Sequence, residues 1–357
     1  MSPNWTDRHF WLVVLAGSAL GVLGVLLAVW GNPQNSGICV SCFVENSAGA
    51  IGLHDNQRMQ YLRPELIGFV IGSAVCAVLF REFRSRGGSA PLPRLISGAF
   101  LIVGSAVFIG CPIKLFLRFT AGDLSAIAGI LGLVVGVWVG LQGLSHGVDL
   151  GRSRDEHPGS GLMVPALFLL FLVFLFARPA FILFSERGGA AQHAPALISL
   201  VAGLVLGALA QRTRFCITGS VRDGLLMGGR SPLIWGLGAF VLGAVVANLT
   251  TGQFQLGLYG QPGAHTEHIW SFLGMLLVGW LSVLIGGCPF RQLVKAGEGD
   301  VDAGLAVVGM LLGGGIVQSW GMAATAAGVS LPGKTAVLSG LVFILGISLL
   351  FRDRVRA

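Results

Sequence analysis

Two cysteine motifs in the first half of the chain return in the second half at one common offset. Cys39, in Gly37-Ile38-Cys39-Val40-Ser41, is matched by Cys216, in Phe215-Cys216-Ile217-Thr218-Gly219. Cys111, in Gly110-Cys111-Pro112-Ile113-Lys114, is matched by Cys288, in Gly287-Cys288-Pro289-Phe290-Arg291. The two steps, from position 39 to 216 and from 111 to 288, are equal. A chain of 357 residues that repeats itself in this way folds as two related halves, 1–177 and 178–357. Thiols at equivalent corners point to a site where the halves meet.

The medium follows from the composition. Apolar residues make up 54% of the chain and charged ones 11%, too few charges to cover a soluble surface. Long runs free of Asp, Glu, Lys and Arg read as membrane spans in a lipid bilayer. The 55 glycines suit close helix packing in lipid. Gly132, Gly136 and Gly140 form a ladder of small residues, and Gly309 and Gly313 repeat its first two rungs at the cysteine offset. The net charge of +7 does not point to nucleic acid, because the basic residues lie in short loops between spans. The first apolar run follows one early Arg and lacks a small-x-small cleavage site, so it reads as a retained span.

Ten spans are expected, near 10–30, 65–80, 94–110, 124–144, 161–177, 195–211, 232–250, 269–287, 302–322 and 335–351. The longer stretches between them, 31–63, 145–160, 178–194 and 251–268, read as soluble. With the N-terminus inside, the inner segments hold Arg8; Arg81, Arg84, Arg86 and Arg94; Arg152 and Arg154; Arg212, Arg214, Arg222 and Arg230; Arg291 and Lys295; and Arg352, Arg354 and Arg356. That is 16 of the 23 basic residues, whereas 251–268 holds none, which sets both termini inside. Five spans per half is odd, so the second half inserts upside down relative to the first. The expected fold is all-α and polytopic, with two inverted repeats, broken re-entrant helices and two vestibules meeting at a narrow waist.

The Gly-Cys-Pro steps show how the waist is built. Proline suits the first position of a helix, which makes Cys111 and Cys288 N-caps of short helices ending at Gly122 and Gly299. Asp123 and Asp300 follow and are expected to cap the next span. Broken helices at membrane depth are tolerated where they line a cavity or lie buried in protein. Their N-termini are ready anion sites, and Lys114 and Arg291 stand one turn further on, with Arg118 and Lys295 a turn beyond. A thiol beside such a site can touch a soft atom, so four matched thiols argue for a sulfur- or selenium-containing anion.

Each of these residues has a plainer reading. Buried cysteine packs as a small hydrophobe, the best account of Cys76, which has no counterpart. Lys114 and Arg291 can serve by snorkelling alone. Cys39 and Cys42 form a C-x-x-C pair that the second half lacks, with Gly219 in place of Cys42. The pair fits a redox couple, an outer disulfide or part of a substrate path. Without a second C-x-x-C or an ordered His pair, zinc is disfavoured. No cofactor motif is read. His54, His265 and His268 read as surface residues. No Asp, Glu or His falls well inside an expected span, which disfavours a carboxylate proton relay.

With those motifs in place, the chain resembles the YeeE/YedE family of sulfur-transport membrane proteins. The resemblance rests on the segments around Cys39 and Cys42, Cys111, Cys216 and Cys288. By its Cys39-x-x-Cys42 and its overall pattern, the chain is closer to the selenium-linked YedE branch. The resemblance implies an hourglass-shaped importer of the bacterial inner membrane. Substrate would pass along Cys39, Cys111 and Cys288, with Cys216 the matched fourth, by transient sulfur contacts. It also implies a cytoplasmic TusA-like sulfur-carrier partner. The additional Cys42 leaves open which of Cys39 and Cys42 meets substrate. The expected function is transport of a thiosulfate-like or selenium-containing anion, without enzymatic chemistry. A membrane thiol–disulfide oxidoreductase using Cys39 and Cys42 is the alternative.

Overall fold

The computed structural model describes residues 7–352 and is almost wholly helical. The first half contains α1 (Arg8–Val29), α2 (Val40–Ala50), α3 (Pro64–Leu79), α4 (Pro91–Phe108), α5 (Pro112–Thr120), α6 (Ala126–Ser145) and α7 (Pro158–Ala177). The second contains α8 (Ala196–Thr213), α9 (Ile217–Met227), α10 (Pro232–Thr250), α11 (His268–Ile285), α12 (Pro289–Gly297), α13 (Val301–Ser319) and α14 (Leu331–Leu350). A two-residue ribbon, β1 (Arg86–Gly87) with β2 (Arg154–Asp155), ties two loops together. Among the described residues, nine helical segments are long and apolar enough to cross a membrane, so this is a multi-pass membrane protein. The tenth expected span, α3, has 16 residues and reaches ~24 Å, short of the ~30 Å hydrocarbon core.

The offset that relates the cysteines extends well past them. The bounds of α2, α4 and α5 recur without slippage in α9, α11 and α12. The packing is exchanged between halves: α4 lies along α13 while α11 lies along α6, and α3 lies along α8 while α10 lies along α1. The glycine ladders explain how. A Cβ on Gly132 would strike the carbonyl of Phe272, and one on Gly309 that of Leu95. Gly136 meets Leu276, and Gly313 meets Ala99, in the same way. Each contact maps onto its counterpart by the same offset. In lipid, where burial supplies little drive between helices, such close backbone approach is the main source of association. Gly104 and Gly274 face each other where α4 crosses α11.

One end of the bundle is basic. There Arg84 N–H donates to Glu298 O at 3.1 Å, Arg214 lies 3.8 Å from Glu298, Arg212 pairs with Glu82 at 2.7 Å, and Arg86 lies 3.6 Å from Asp300. Of the basic residues assigned to this side, Arg354 and Arg356 lie outside the described residues. The opposite end carries the loops 51–63, 178–195 and 251–267, held together by bonds such as Leu183 N–H to Ala50 O and Asn32 Oδ1 accepting from Ala194 N–H.

Four expectations need correction. The stretch 31–63 is not simply soluble, because α2 within it is buried along nearly its whole length. Its 11 residues and polar Asn46 and Ser47 hide it from any hydropathy window. Buried carboxylates therefore exist at Glu45, between two expected spans, and at Glu65, on the edge of one. His54 and His265 are buried, their Nε2 atoms held by Glu45 O at 2.9 Å and Val107 O at 2.8 Å. Asp300 caps α13 through Ala303 N–H as expected, but Asp123 does not cap α6. It is consumed by a fully buried ion pair with Arg118 at 2.7 Å, and Ser125 takes the N-cap position.

Candidate functional site

Four helix N-termini converge in two matched pairs. Cys39 is the N-cap of α2 and Cys111 of α5; Cys216 is the N-cap of α9 and Cys288 of α12. All four are at most 3% exposed. Val40 N–H donates to Cys111 Sγ at 3.3 Å, and Cys39 Sγ accepts from Cys42 N–H at 3.4 Å. In the second half, Cys216 Sγ and Cys288 Sγ are 3.3 Å apart. Cys39 also meets Ser41 Oγ at 3.4 Å, as Cys216 meets the equivalent Thr218 Oγ1 at 3.2 Å.

The backbone breaks that create these N-termini are built alike. α4 ends in Ile109 at φ +62°, and the matched position after α11 is Gly286 at φ +82°. A β-branched residue in the left-handed region costs about 1–3 kcal/mol, strain that the surrounding packing must hold. Pro112 and Pro289 then start the half-helices, which end as expected before Gly122 (φ +97°) and Gly299 (φ +96°). Unpaired N–H groups and the helix dipoles thus aim positive potential at each thiol pair.

The cations divide the two pairs. Lys114 is 3% exposed, and its side chain has no hydrogen bond or ion pair among the described residues. Its Nζ lies under Gly263, whose Cβ, if present, would fall 2.8 Å away. Its counterpart Arg291 is ion-paired with Glu298 at 2.9 Å and donates to Ala210 O at 3.3 Å. Arg118 is held by Asp123, and Lys295 by Asp300 at 3.4 Å.

A cavity of about 260 Å³ opens beside the second pair, lined by Arg86, Arg214, Arg222, Arg291, Lys295 and Cys216 among others. No carboxylate among the described residues lines it. Counted along the chain, these arginines speak only to orientation; that they share a cavity was missed. Cys42 is half-buried and its thiol is free, as are the other five. Cys76 is buried in α3.

One further residue of the site, Glu45, lies outside the cysteine motifs. Glu45, one turn past Cys42, is 4% exposed, and its Oε2 accepts from Gln318 Nε2. The position matched to it in the second half is Arg222, which pairs with Asp223 at 2.8 Å. The offset itself was the signal, because it places 45 and 222 at equal depth in α2 and α9.

No family model matches the chain. A search of curated proteins finds similarity to the "Probable transporter YedE" of Salmonella typhimurium, 28% identical over 132 residues. The match covers 36% of this chain and 31% of that protein, so it spans about a third of the relative's length. This similarity supports the resemblance to the YeeE/YedE family.

Proposed function

We propose that this protein carries a small sulfur- or selenium-containing anion across the bacterial inner membrane. The path is a constriction between two inverted halves, 1–177 and 178–357, which together form an hourglass. The observation that carries this reading is the doubled thiol pair, Cys39 with Cys111 and Cys216 with Cys288, each buried between two half-helix N-termini. N-terminal amides stabilise the oxygens of an anion, and polarisable sulfur suits a soft terminal atom. A carrier of phosphate or sulfate would need the amides alone.

The basic end faces the cytoplasm by the positive-inside rule. Its cavity is then the inner vestibule, and the first thiol pair is approached from outside. Lys114 and Arg291 attract the anion from the two sides, Lys114 more strongly because it has no anionic partner among the described residues. A TusA-like sulfur carrier would dock at the basic end to collect the cargo. No bond in the cargo need break, so the activity is transport rather than catalysis. The name of the Salmonella relative agrees with transport.

The test is uptake into proteoliposomes of labelled thiosulfate and, separately, selenite. Saturable uptake of at least one is expected, lost in both Cys111→Ala and Cys288→Ala while the variants still elute as folded protein. Uptake of neither anion, or undiminished uptake by both variants, overturns the proposal. Cys42→Ser separates the oxidoreductase alternative: transport that persists in this variant owes nothing to a Cys39–Cys42 redox couple.

A further inference from the structure

The approach to the first thiol pair contains a buried carboxylate that an anion carrier has no obvious use for. Glu45 lies one turn beyond Cys42 on the same face of α2, toward the end of the bundle that carries the loop 51–63. It is 4% exposed and makes no ion pair among the described residues. Gln318 of α13 donates to Oε2, and Asn56 Nδ2 donates in turn to Gln318 Oε1 at 2.8 Å. Oε1 of Glu45 has no hydrogen-bond partner among the described residues. α13 crosses close over the backbone here, with Gly314 against Glu45 Cα.

The charged and titratable groups around it are few. Cys39 and Cys42, on α2, and Lys114, on α5, interact with it electrostatically. His54, in the turn after α2, bonds its main-chain oxygen rather than its carboxylate. Arg63, ahead of α3, is turned to Asn46, Asn32 and the Phe43 ring. Arg63 spends its guanidinium on Asn46, Asn32, Gln192 O and Gly189 O, which leaves Lys114 as the neighbouring cation whose side chain has no hydrogen bond or ion pair among the described residues. When Glu45 is ionised, it offsets Lys114, and an incoming anion meets a site of little net charge. When Glu45 is neutral, the whole charge of Lys114 is available. On the other side of the waist the equivalent residue is Arg222, and no described carboxylate lines the cavity there.

We infer that Glu45 binds a proton together with the anion, so that the two cross as a pair. This inference rests on the transport reading above. In the step, Glu45 Oε1 takes a proton from the outer water as the anion settles by Cys39, Cys42 and Lys114. Once the anion has moved on to the second thiol pair, Lys114 once more faces an empty site, and Glu45 Oε1 gives up its proton inward, along the path the anion has taken, to water in the cavity beside Cys216. No bond in the anion changes and no electron is transferred.

The test compares wild type with Glu45→Gln, an isosteric and permanently neutral replacement, in proteoliposomes given thiosulfate or selenite. Wild-type uptake should rise by up to ~10-fold per unit of acidification outside, the limit for one linked proton. Glu45→Gln should show no such response, while exchange of labelled for unlabelled anion stays within about 2-fold of wild type, since the neutral amide leaves Lys114 available. Addition of the anion to wild-type protein in detergent should also take up protons from a weakly buffered dye solution, and addition to Glu45→Gln should not. Gln318→Met serves as a second variant. It removes the donor that favours ionised Glu45, so the midpoint of the pH response should move to higher pH. A pH response retained in Glu45→Gln, absent from wild type, or unmoved in Gln318→Met overturns the inference while leaving transport intact. Wild-type protein that neither binds nor carries either anion overturns the transport reading and this inference with it.

Discussion

Around the first thiol pair the nearest cation is bare; around the second the matched cation is tied down. Lys114 has no acid within ion-pair distance among the described residues, whereas Arg291 is held by Glu298 at 2.9 Å. Past the first pair, α2 carries the buried Glu45, and at the matched position of α9 Arg222 lines the cavity beside the second pair. Yet the half-helices that present the two pairs begin and end at matched positions, related by a single offset. Backbone and charge have therefore diverged separately. Helix breaks depend on Gly, Pro and a left-handed residue, which the two halves share. Charge depends on single side chains, which change without moving a helix. On the proposed transport reading, one scaffold then presents a site that takes up an anion and a site that lets it go.

The strongest way to break this comparison is to remove one thiol at a time. Cys111→Ala and Cys288→Ala should each bring uptake to background, a loss of at least ~10-fold for a contact to a charged ligand. Equal losses put the thiols in series on one path. A loss confined to one variant separates the two sites.

The cations come next, and they should fail differently. Arg291→Met leaves Glu298 buried, with Arg214 3.8 Å away as its remaining partner, and should cost about 3 kcal/mol of stability, at the low end for breaking a buried pair. Thermal unfolding in detergent reads this, and adding Glu298→Gln should restore most of it. Lys114→Met leaves no orphaned acid, so it should unfold at the wild-type temperature but bind thiosulfate roughly 10-fold more weakly. Matching unfolding temperatures in the two variants would erase the distinction between a bare and a tied cation.

The symmetric scaffold predicts a symmetric cost. Gly132→Ala and Gly309→Ala each push a methyl into a carbonyl of the opposite half, and each should lose about 1–3 kcal/mol. Similar unfolding temperatures in the two variants sharpen the comparison, because they isolate backbone symmetry from charge asymmetry.

The smallest effects belong to the surface. Glu82, at the basic end, is held below the usual carboxylate range by the Gln211 hydrogen bond and then by Arg212. Glu267, at the opposite end, is held down by Lys334. A depressed carboxyl contributes stability above its unfolded value and loses it as pH falls through the folded one. Each contribution should therefore fade only in acid below the ordinary carboxylate range. Glu82→Gln and Glu267→Gln should each change stability by less than about 1 kcal/mol at neutral pH, because both pairs are solvent-screened. Titrating unfolding temperature against pH checks the sign.

Much of the scaffold is legible in the chain itself. The spans fall within a few residues of their helices because hydropathy is summed along the chain. The Gly-Cys-Pro breaks are legible because Pro112 and Pro289 act on their own backbone. α2 is not, since an 11-residue helix carrying Asn46 and Ser47 resembles a loop until α13 and α3 close over it. Glu45 is hidden for the same reason. His54 and His265 look like surface residues because burial depends on which segments fold over them, and no local pattern reports that.

The order of spans, their breaks and the repeat that relates them were thus decided by the sequence alone, through hydropathy, proline geometry and a fixed offset. Which thiol meets which was decided only by the tertiary structure, since Cys216 and Cys288 are 72 residues apart along the chain, and Cys39 and Cys111 are equally far apart. The same holds for which cation stays bare. Pairing of charges is a through-space property that falls off over a few ångströms, and a linear chain carries no record of distances across its fold.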